Sequence, residues 1–179
     1  MIAPTQPRVV LIGAPGAGKS TVGPLLADLL GVGFRDTDAD VALAAGKSVP
    51  EVFVEDGEPR FRELERDAVL TALDAHDGVL AVGGGAVLDA DSRTALARYR
   101  SGGGAIVWLQ VTLASAAGRV GFNQPRPVLL GNPRAQWQAL LEQRRPVYSE
   151  LAAHAVDTDR VPPQEVAARI VARLEGNDD

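Results

Sequence analysis

Short runs of apolar, often β-branched residues alternate along the chain with longer stretches that repeat with the period of a helix. The apolar runs predict five strands, at Val9 to Ile12, Val32 to Phe34, Val79 to Val82, Ala105 to Leu109 and Ala155 to Val156. The helical pattern is clearest at Thr21 to Leu30, Glu58 to Ala75, Asp91 to Arg100, Arg134 to Arg144 and Gln164 to Leu174. This alternation is typical of a parallel sheet covered on both faces. We therefore predict an α/β protein, a three-layer sandwich with a five-stranded parallel sheet.

Residues suited to helix ends support these boundaries. Gly31 and Gly46 can adopt the left-handed conformation that terminates a helix, so we interpret them as helix stops. Ser48 and Asp91 have side chains that can accept a hydrogen bond from the first turn, so we interpret them as helix caps.

Composition narrows the class of protein without identifying it. The 179 residues suit a single domain, residues 1–179, and a hydrophobic fraction of 46% is ordinary for a globular chain. The absence of cysteine excludes disulfides and thiolate catalysis. The segment from Met1 to Arg8 lacks the layout of a signal peptide, and the net charge is -5. We expect a cytoplasmic protein that binds neither membrane nor nucleic acid.

The strongest chemical signal follows the first predicted strand. Gly13 to Ser20 fits the phosphate-binding pattern G-x-x-x-x-G-K-[ST] without a mismatch, between a strand and a helix. Glycines let consecutive N–H groups turn toward phosphate oxygens, and the helix N-terminus adds partial positive charge. The alternative is a glycine-rich turn, but a turn requires neither Lys19 nor the Ser20-Thr21 pair. The pattern predicts a nucleoside triphosphate as ligand.

Further polar residues follow other predicted strands or lie on helices. Asp36-Thr37-Asp38 lies at a strand end, where alternation would point one carboxylate toward Mg²⁺ and the other toward a substrate hydroxyl. Arg62 and Glu65 are spaced so that the acid can orient the guanidinium. Gly83-Gly84-Gly85 would let a ligand approach the backbone. Each also has a purely structural interpretation. Asp36-Thr37-Asp38 could form a turn, Arg62 and Glu65 an exposed ion pair, and Gly83-Gly84-Gly85 a loose turn.

Two cationic segments complete the pattern. Arg144-Arg145-Pro146 is predicted to end a helix and offers a two-pronged grip on a carboxylate, although cations at a helix C-terminus are also structurally useful. Gly118 to Arg134 mixes glycine and proline with arginines, which suits a mobile flap that brings cations to a phosphate. An ordinary solvated loop is the alternative for this segment.

In their order along the chain, these motifs resemble those of the shikimate kinase family. The residues that carry the resemblance are Gly13 to Thr21, Asp36-Thr37-Asp38, Gly57-Glu58, Phe61-Arg62, Glu65, Gly83-Gly84-Gly85, Arg126-Pro127, Arg144, Pro146, Tyr148 and Asp157-Thr158. The resemblance implies a P-loop fold like that of nucleoside-monophosphate kinases, with a substrate-binding region of about residues 37–65 and a mobile lid of about residues 119–133. It also implies a monomer that transfers the γ-phosphoryl group of ATP to the 3-hydroxyl of shikimate with Mg²⁺. The products would be shikimate 3-phosphate and ADP, in chorismate and aromatic amino-acid biosynthesis.

The resemblance further implies roles for residues around the nucleotide. Lys19 would contact the β- and γ-phosphates, Ser20 would ligate Mg²⁺, and Asp36 would reach the metal through water. Arg119 would lie against the adenine and Arg160 would border it. The implied nucleotide-binding residues are Gly16, Ala17, Gly18, Lys19, Ser20, Thr21, Arg119 and Arg160.

For the acceptor, the implied residues come from four segments. Asp38 would bind ring hydroxyls and activate the attacking one, while Arg62 and Arg144 would hold the carboxylate. The Gly84 backbone would lie beside a hydroxyl, and Arg126 would arrive on the lid and pair with the transferring phosphate. The implied catalytic residues are Lys19, Asp38 and Arg126.

The chain departs from the family pattern at three positions, none of them a proposed catalytic group. Pro24 stands where the family usually has arginine, Ala42 where it often has an acid, and Val128 where it has leucine. Two alternatives remain open at this point. One is another small-molecule kinase, such as a gluconate or nucleoside-monophosphate kinase, and the other is a regulatory module that binds ATP without turnover.

Overall fold

One parallel sheet organises the molecule. The computed structural model describes residues 5–120 and 131–176. Its five strands lie in the order β2-β3-β1-β4-β5, and every neighbouring pair is parallel. The strands are β1 (Val9–Ile12), β2 (Phe34–Asp36), β3 (Val79–Ala81), β4 (Ala105–Gln110) and β5 (His154–Asp157). The predicted sheet is confirmed, with β2 beginning two residues later than expected.

Helices flank this sheet and connect its strands. They are α1 (Lys19–Leu30), α2 (Thr37–Ala45), α3 (Val49–Glu51), α4 (Glu58–Ala75), α5 (Ala90–Ser101), α6 (Leu113–Val120), α7 (Pro133–Leu151) and α8 (Pro163–Leu174). A π-helical turn, Val52–Asp56, joins α3 to α4, and a 3₁₀ turn, Ala86–Leu88, precedes α5. The predicted α/β sandwich is therefore confirmed. Within the described residues, no helix combines the length and apolarity needed to cross a bilayer.

The core explains why the central strands contain so few polar residues. All four residues of β1 are buried, because helices cover both faces of the sheet. A second, smaller apolar cluster lies under α2 and the N-terminal half of α4, around Val41, Val52 and Phe61. The aromatic ring of Phe53 packs on that of Phe61 at a centroid distance of 4.3 Å. This second cluster gives the segment around residues 37–65 its own support.

Most of the predicted helix ends are confirmed. Gly31 and Gly46 terminate α1 and α2 with φ of 65° and 68°, which are left-handed values that glycine adopts without a Cβ penalty. Ser48 caps α3 in a capping box. The prediction for Asp91 is wrong, because the helix begins one residue before it and Asp89 accepts the capping hydrogen bond.

The prediction that Arg144-Arg145-Pro146 ends a helix is also wrong. Helix α7 continues to Leu151 with Pro146 inside it. A proline in a helix interior costs about 3 kcal/mol or more, so the continuation needs compensation. Val147, Tyr148 and Leu151 supply it, because all three are buried in the main core. Arg144 therefore lies within the helix rather than at its C-terminus, and the structural use expected of a terminal cation does not apply.

Candidate active site

The phosphate loop lies at the carboxyl end of the central strand. Strand β1 is flanked by β3 and β4, and the loop after it runs directly into α1. Gly16 and Gly18 have φ of 84° and 99°, a region that side chains with a Cβ rarely adopt. A methyl group on Gly16 would also lie 2.5 Å from Cγ2 of Val120. The glycines thus allow the tight turn that leaves the N–H groups at the start of α1 open to an anion.

Lys19 is the cation of this loop. Its ammonium donates hydrogen bonds to the backbone oxygens of Gly13, at 2.6 Å, and Ala14, at 3.2 Å. Burial lowers the pKa of Lys19 to about 8, while the carboxylates of Asp38 and Asp36 oppose the shift. Lys19 is thus a desolvated cation that an incoming phosphate would stabilise in its charged form.

The Asp-Thr-Asp segment is arranged differently from the prediction. Only Asp36 belongs to β2, and α2 begins at Thr37, so strand alternation does not separate the two carboxylates. Asp36 instead caps α2 by accepting a hydrogen bond from the N–H of Asp38, at 2.9 Å. Its other oxygen accepts a hydrogen bond from the Ser20 hydroxyl at 2.8 Å. Asp38 stands in the first turn of α2 and lines the same cavity as Lys19.

The Gly83-Gly84-Gly85 segment lies between acidic side chains at one end and arginine side chains at the other. The N–H of Gly83 donates to the hydroxyl of Thr37, at 3.0 Å, which ties the segment to α2. A methyl group on Gly83 would lie 2.7 Å from Oε1 of Glu65 and 3.0 Å from Oδ1 of Asp38. The first glycine therefore faces acidic oxygens, and its missing side chain lets them approach.

The other two glycines face guanidinium groups. A methyl group on Gly85 would lie 2.6 Å from Nη1 of Arg62 and 3.0 Å from Nη2 of Arg144. A methyl group on Gly84 would lie 3.1 Å from Nη1 of Arg144. In the part of the chain that the structure describes, the N–H groups of Gly84 and Gly85 have no hydrogen-bond acceptor. Hydrogen-bond donors thus collect at this end of the segment, opposite the acidic oxygens.

The two arginines differ in their partners. Arg62 donates to Oε2 of Glu65 at 2.7 Å, which confirms that the acid orients it, and it also pairs with Glu58 at 3.3 Å. Burial raises the pKa of Glu65, and the Arg62 guanidinium opposes that rise. Arg144 is only 4% exposed, yet no carboxylate among the described residues lies within 4.0 Å of it. Its Nε is buried without a hydrogen-bond partner in those residues. A buried cation in this state favours an anionic ligand.

Arg119 connects the phosphate loop to the residue that follows the edge strand β5. It donates to the backbone oxygen of Gly16 at 3.1 Å and to both the hydroxyl and the backbone oxygen of Thr158, at 3.0 and 2.6 Å. Beside it lies a slot of about 240 Å³. The slot is lined by Ala17, Gly18, Thr21, Val22, Arg119, Thr158, Val161, Pro163 and Val166. Its apolar walls suit a flat base next to the phosphate loop.

One predicted residue is not brought into these cavities. Arg160 is exposed in the turn before α8, with a left-handed φ of 55°, and Val161 and Pro163 line the slot in its place. Arg126 lies outside the described residues, as does most of the predicted lid.

Sequence reasoning missed contacts that support the site from a distance. The indole N–H of Trp137 donates to the backbone oxygen of Pro15 in the phosphate loop, at 3.0 Å. The Tyr148 hydroxyl donates to the backbone oxygen of Gly84 at 2.6 Å. Tyr148 is among the residues that carry the family resemblance, but no contact with Gly84 was expected for it; its spacing of four residues from Arg144 puts both on one face of α7.

One cavity of about 370 Å³ joins the phosphate loop to the acidic and glycine segments. Lys19, Ser20, Asp36, Asp38 and Gly84 all line it. Because groups suited to phosphates and groups suited to a hydroxylated acceptor share this space, fold and site together define a P-loop kinase that acts on small molecules.

Comparison with known proteins narrows this class to one family. The sequence model of the shikimate kinase family matches residues 15–175. A shikimate kinase of Streptomyces avermitilis is 50% identical over 171 residues, 96% of this chain and 97% of that protein. One of Thermobifida fusca is 51% identical over 170 residues, 95% of this chain and 96% of the other. The solved shikimate kinase from Acinetobacter baumannii in complex with shikimate has a TM-score of 0.88 and 31% identity, covering 97% of this chain and 95% of that one. The chain belongs to the shikimate kinase family and is an ATP-dependent small-molecule kinase, which sets aside the gluconate and nucleoside-monophosphate kinase alternatives.

Proposed function

We propose that this protein transfers the γ-phosphoryl group of ATP to the 3-hydroxyl of shikimate, yielding shikimate 3-phosphate and ADP for chorismate and aromatic amino-acid biosynthesis. The observation that carries the proposal is the polarity of the pocket around Gly83-Gly84-Gly85. Its donor end consists of Arg62, Arg144 and the backbone N–H groups of Gly84 and Gly85, and it suits a carboxylate. Its acceptor end, at Asp38 and Glu65, suits hydroxyls. A hydroxylated carboxylic acid satisfies both ends at once.

The acceptor end of the pocket adjoins the phosphate loop. Asp38 and Lys19 line the same cavity, so a hydroxyl bound by Asp38 would stand near the terminal phosphate of a bound nucleotide. In this pose Asp38 holds the attacking hydroxyl and accepts its proton as the phosphoryl group transfers. An Asp38→Asn variant tests the base role. It should bind shikimate with similar affinity and lose most of its kcat, whereas near-native kcat would leave Asp38 an orienting role only.

Lys19 and the loop N–H groups would bind the β- and γ-phosphates and stabilise the charge that spreads over the transferring group. The base would occupy the slot beside Arg119 and Thr158. Because Arg119 already bridges the slot and the phosphate loop, its position supports the predicted role at the adenine.

The oxygen atoms of Ser20 and Asp36 suit Mg²⁺, a hard cation that prefers oxygen ligands and keeps several waters. The Ser20 hydroxyl would ligate the ion, and Asp36 would hold one of its waters. When bound, Mg²⁺ supplies charge neutralisation at the β- and γ-phosphates. The chain's own part is to hold these two oxygens 2.8 Å apart beside the phosphate loop.

The substrate-binding region of about residues 37–65 and the lid of about residues 119–133 belong to the same proposal. In this scheme Arg126 reaches the transferring phosphate when the lid closes. Closure would also exclude water, which otherwise competes with shikimate for the phosphoryl group. The predictions of a monomer and of a cytoplasmic location stay predictions.

The proposal is tested by ADP release from ATP and Mg²⁺ with shikimate, gluconate, AMP or no acceptor, with Lys19→Met as the inactive control. Turnover with shikimate alone, lost in Lys19→Met, is the expected result. Turnover with another acceptor would assign a different substrate to the pocket. A folded protein that binds ATP but releases no ADP with any acceptor would instead favour the regulatory module.

A further inference from the structure

Tyr148 is buried beside the substrate pocket, and neither the phosphate loop nor the proposed chemistry uses it. Its side chain is 0% exposed, and its ring packs against that of Trp108 at a centroid distance of 5.7 Å. The hydroxyl donates a hydrogen bond of 2.6 Å to the backbone oxygen of Gly84. The two residues are 64 positions apart in sequence, so this bond joins the last turn of α7 to the glycine segment after β3.

The bond to Gly84 fixes the orientation of one peptide group. In a trans peptide the C=O and the following N–H point in opposite directions. Because Tyr148 holds the Gly84 oxygen toward α7, the N–H of Gly85 points away from that helix. Among the described residues this N–H has no hydrogen-bond acceptor. Other hydrogen bonds hold Gly83 and the oxygen of Gly85, whereas the bond from Tyr148 acts on the Gly84-Gly85 peptide itself, where glycines rotate easily about φ and ψ.

The same hydroxyl is close to Arg144, one helical turn before it on α7. Burial raises the pKa of Tyr148 to about 12, and the charge of the nearby Arg144 guanidinium opposes the rise. Nη1 of Arg144 in turn lies 3.1 Å from where a methyl group on Gly84 would be. Tyr148, Arg144 and the Gly84-Gly85 peptide therefore form one packed unit.

We propose that Tyr148 is a positioning residue for the acceptor, holding the Gly84-Gly85 peptide and the Arg144 guanidinium so that their N–H groups converge on the substrate carboxylate. The inference rests on the proposed shikimate site. Tyr148 itself does not touch the substrate. Its contribution is pre-organisation, because without the hydroxyl the glycine segment and Arg144 would have to be ordered when shikimate binds.

The second tyrosine of the chain provides a matched control. Tyr99 is also buried, at 4% exposure, and its hydroxyl donates to the backbone oxygen of Pro7 at 2.9 Å. Burial raises its pKa to about 12 as well. Tyr99 lies on α5 and bonds to the N-terminal segment, away from the glycine segment. Its hydroxyl also lies 3.4 Å from the backbone oxygen of Ala105, so Tyr99→Phe removes a buried hydroxyl that bonds to backbone oxygens, as Tyr148→Phe does, without changing the pocket.

The experiment compares Tyr148→Phe and Tyr99→Phe by thermal unfolding and by steady-state kinetics at 25 °C and 10 °C, the lower temperature ensuring that both are folded. For Tyr148→Phe, the KM for shikimate should rise roughly three- to tenfold, the loss expected for one hydrogen bond, while the KM for ATP stays unchanged. Tyr99→Phe should lower only the unfolding temperature. In an Arg144→Met background, Tyr148→Phe should raise the KM for shikimate by a smaller factor than it does in the wild type, because the Tyr148 hydroxyl and Arg144 act on the same substrate carboxylate.

A KM for shikimate that stays at the wild-type value in Tyr148→Phe, or that rises equally in Tyr99→Phe, would overturn the inference. In either case the unfolding temperatures would still report the structural cost of losing each hydroxyl. Failure of the proposed function gives a different result, because the wild-type protein itself would then not phosphorylate shikimate.

Discussion

Replacement of Arg144 by methionine tests the donor end of the pocket. The Arg144 side chain is 4% exposed, and its Nε has no hydrogen-bond partner in the described residues. Methionine keeps much of the side-chain length, so the change removes charge and hydrogen bonds more than volume. A hydrogen bond to a charged group is worth about 1.5–3 kcal/mol, so loss of a two-pronged grip should cost at least about 3 kcal/mol. That corresponds to roughly a hundredfold in kcat/KM for shikimate.

The assay is steady-state kinetics with shikimate and ATP varied in turn, beside a thermal melt without ligands. The KM for ATP should change little, because Arg144 is not part of the phosphate loop. The unfolding temperature should stay the same or rise, since a buried cation without a carboxylate partner is expensive to desolvate.

Arg145→Met is the matched control for this substitution. The Arg145 side chain is 51% exposed and pairs with Glu142 at 3.0 Å on the surface of α7. Its replacement should leave the kinetics unchanged. If folded Arg144→Met kept a kcat/KM for shikimate within about threefold of the wild type, the assignment of Arg144 to the carboxylate would be refuted.

Two further predictions concern the phosphate loop and the packing of α1. Because the pKa of Lys19 is lowered to about 8, MgADP should bind with constant affinity below that pH and progressively more weakly as the pH rises through it, up to about tenfold per pH unit. Calorimetric titration measures this, and an affinity that does not change across that range would show that Lys19 does not titrate there. Gly23→Ala would put a methyl group 2.2 Å from Cε2 of Phe34 and should destabilise the protein by about 1–3 kcal/mol. Gly118→Ala, in α6 where no atom of the described residues lies within 4 Å of the added methyl group, should instead stabilise the protein by up to about 1 kcal/mol. Urea unfolding separates the two, and shifts of the same sign would contradict the packing described here.

The sequence predicts local features well where one residue type has one structural use. The phosphate loop is such a case, because its glycines, Lys19 and Ser20 sit between a strand and a helix as the pattern requires. The Arg62 and Glu65 pair follows from helical spacing alone. The five strands also follow from their apolar runs, since strands covered on both faces contain few polar residues.

Features that depend on distant contacts could not be predicted in this way. The continuation of α7 past Pro146 depends on burial of Val147, Tyr148 and Leu151 in the main core, which overrides the local preference of proline. The bond between Trp137 and Pro15 joins residues 122 positions apart. The start of α2 at Thr37 contradicted a strand-based argument for Asp36 and Asp38, because the Asp36 cap favours a helix there.

Phosphoryl transfer to the 3-hydroxyl of shikimate is tested by identifying the product with phosphorus and proton magnetic resonance after incubation with ATP, Mg²⁺ and shikimate. We expect one new phosphomonoester, coupled to the proton on carbon 3 of shikimate, in an amount equal to the ADP formed. A phosphate on a different hydroxyl would contradict the orientation given to the carboxylate by Arg62 and Arg144. Inorganic phosphate as the only product would contradict phosphoryl transfer to shikimate itself.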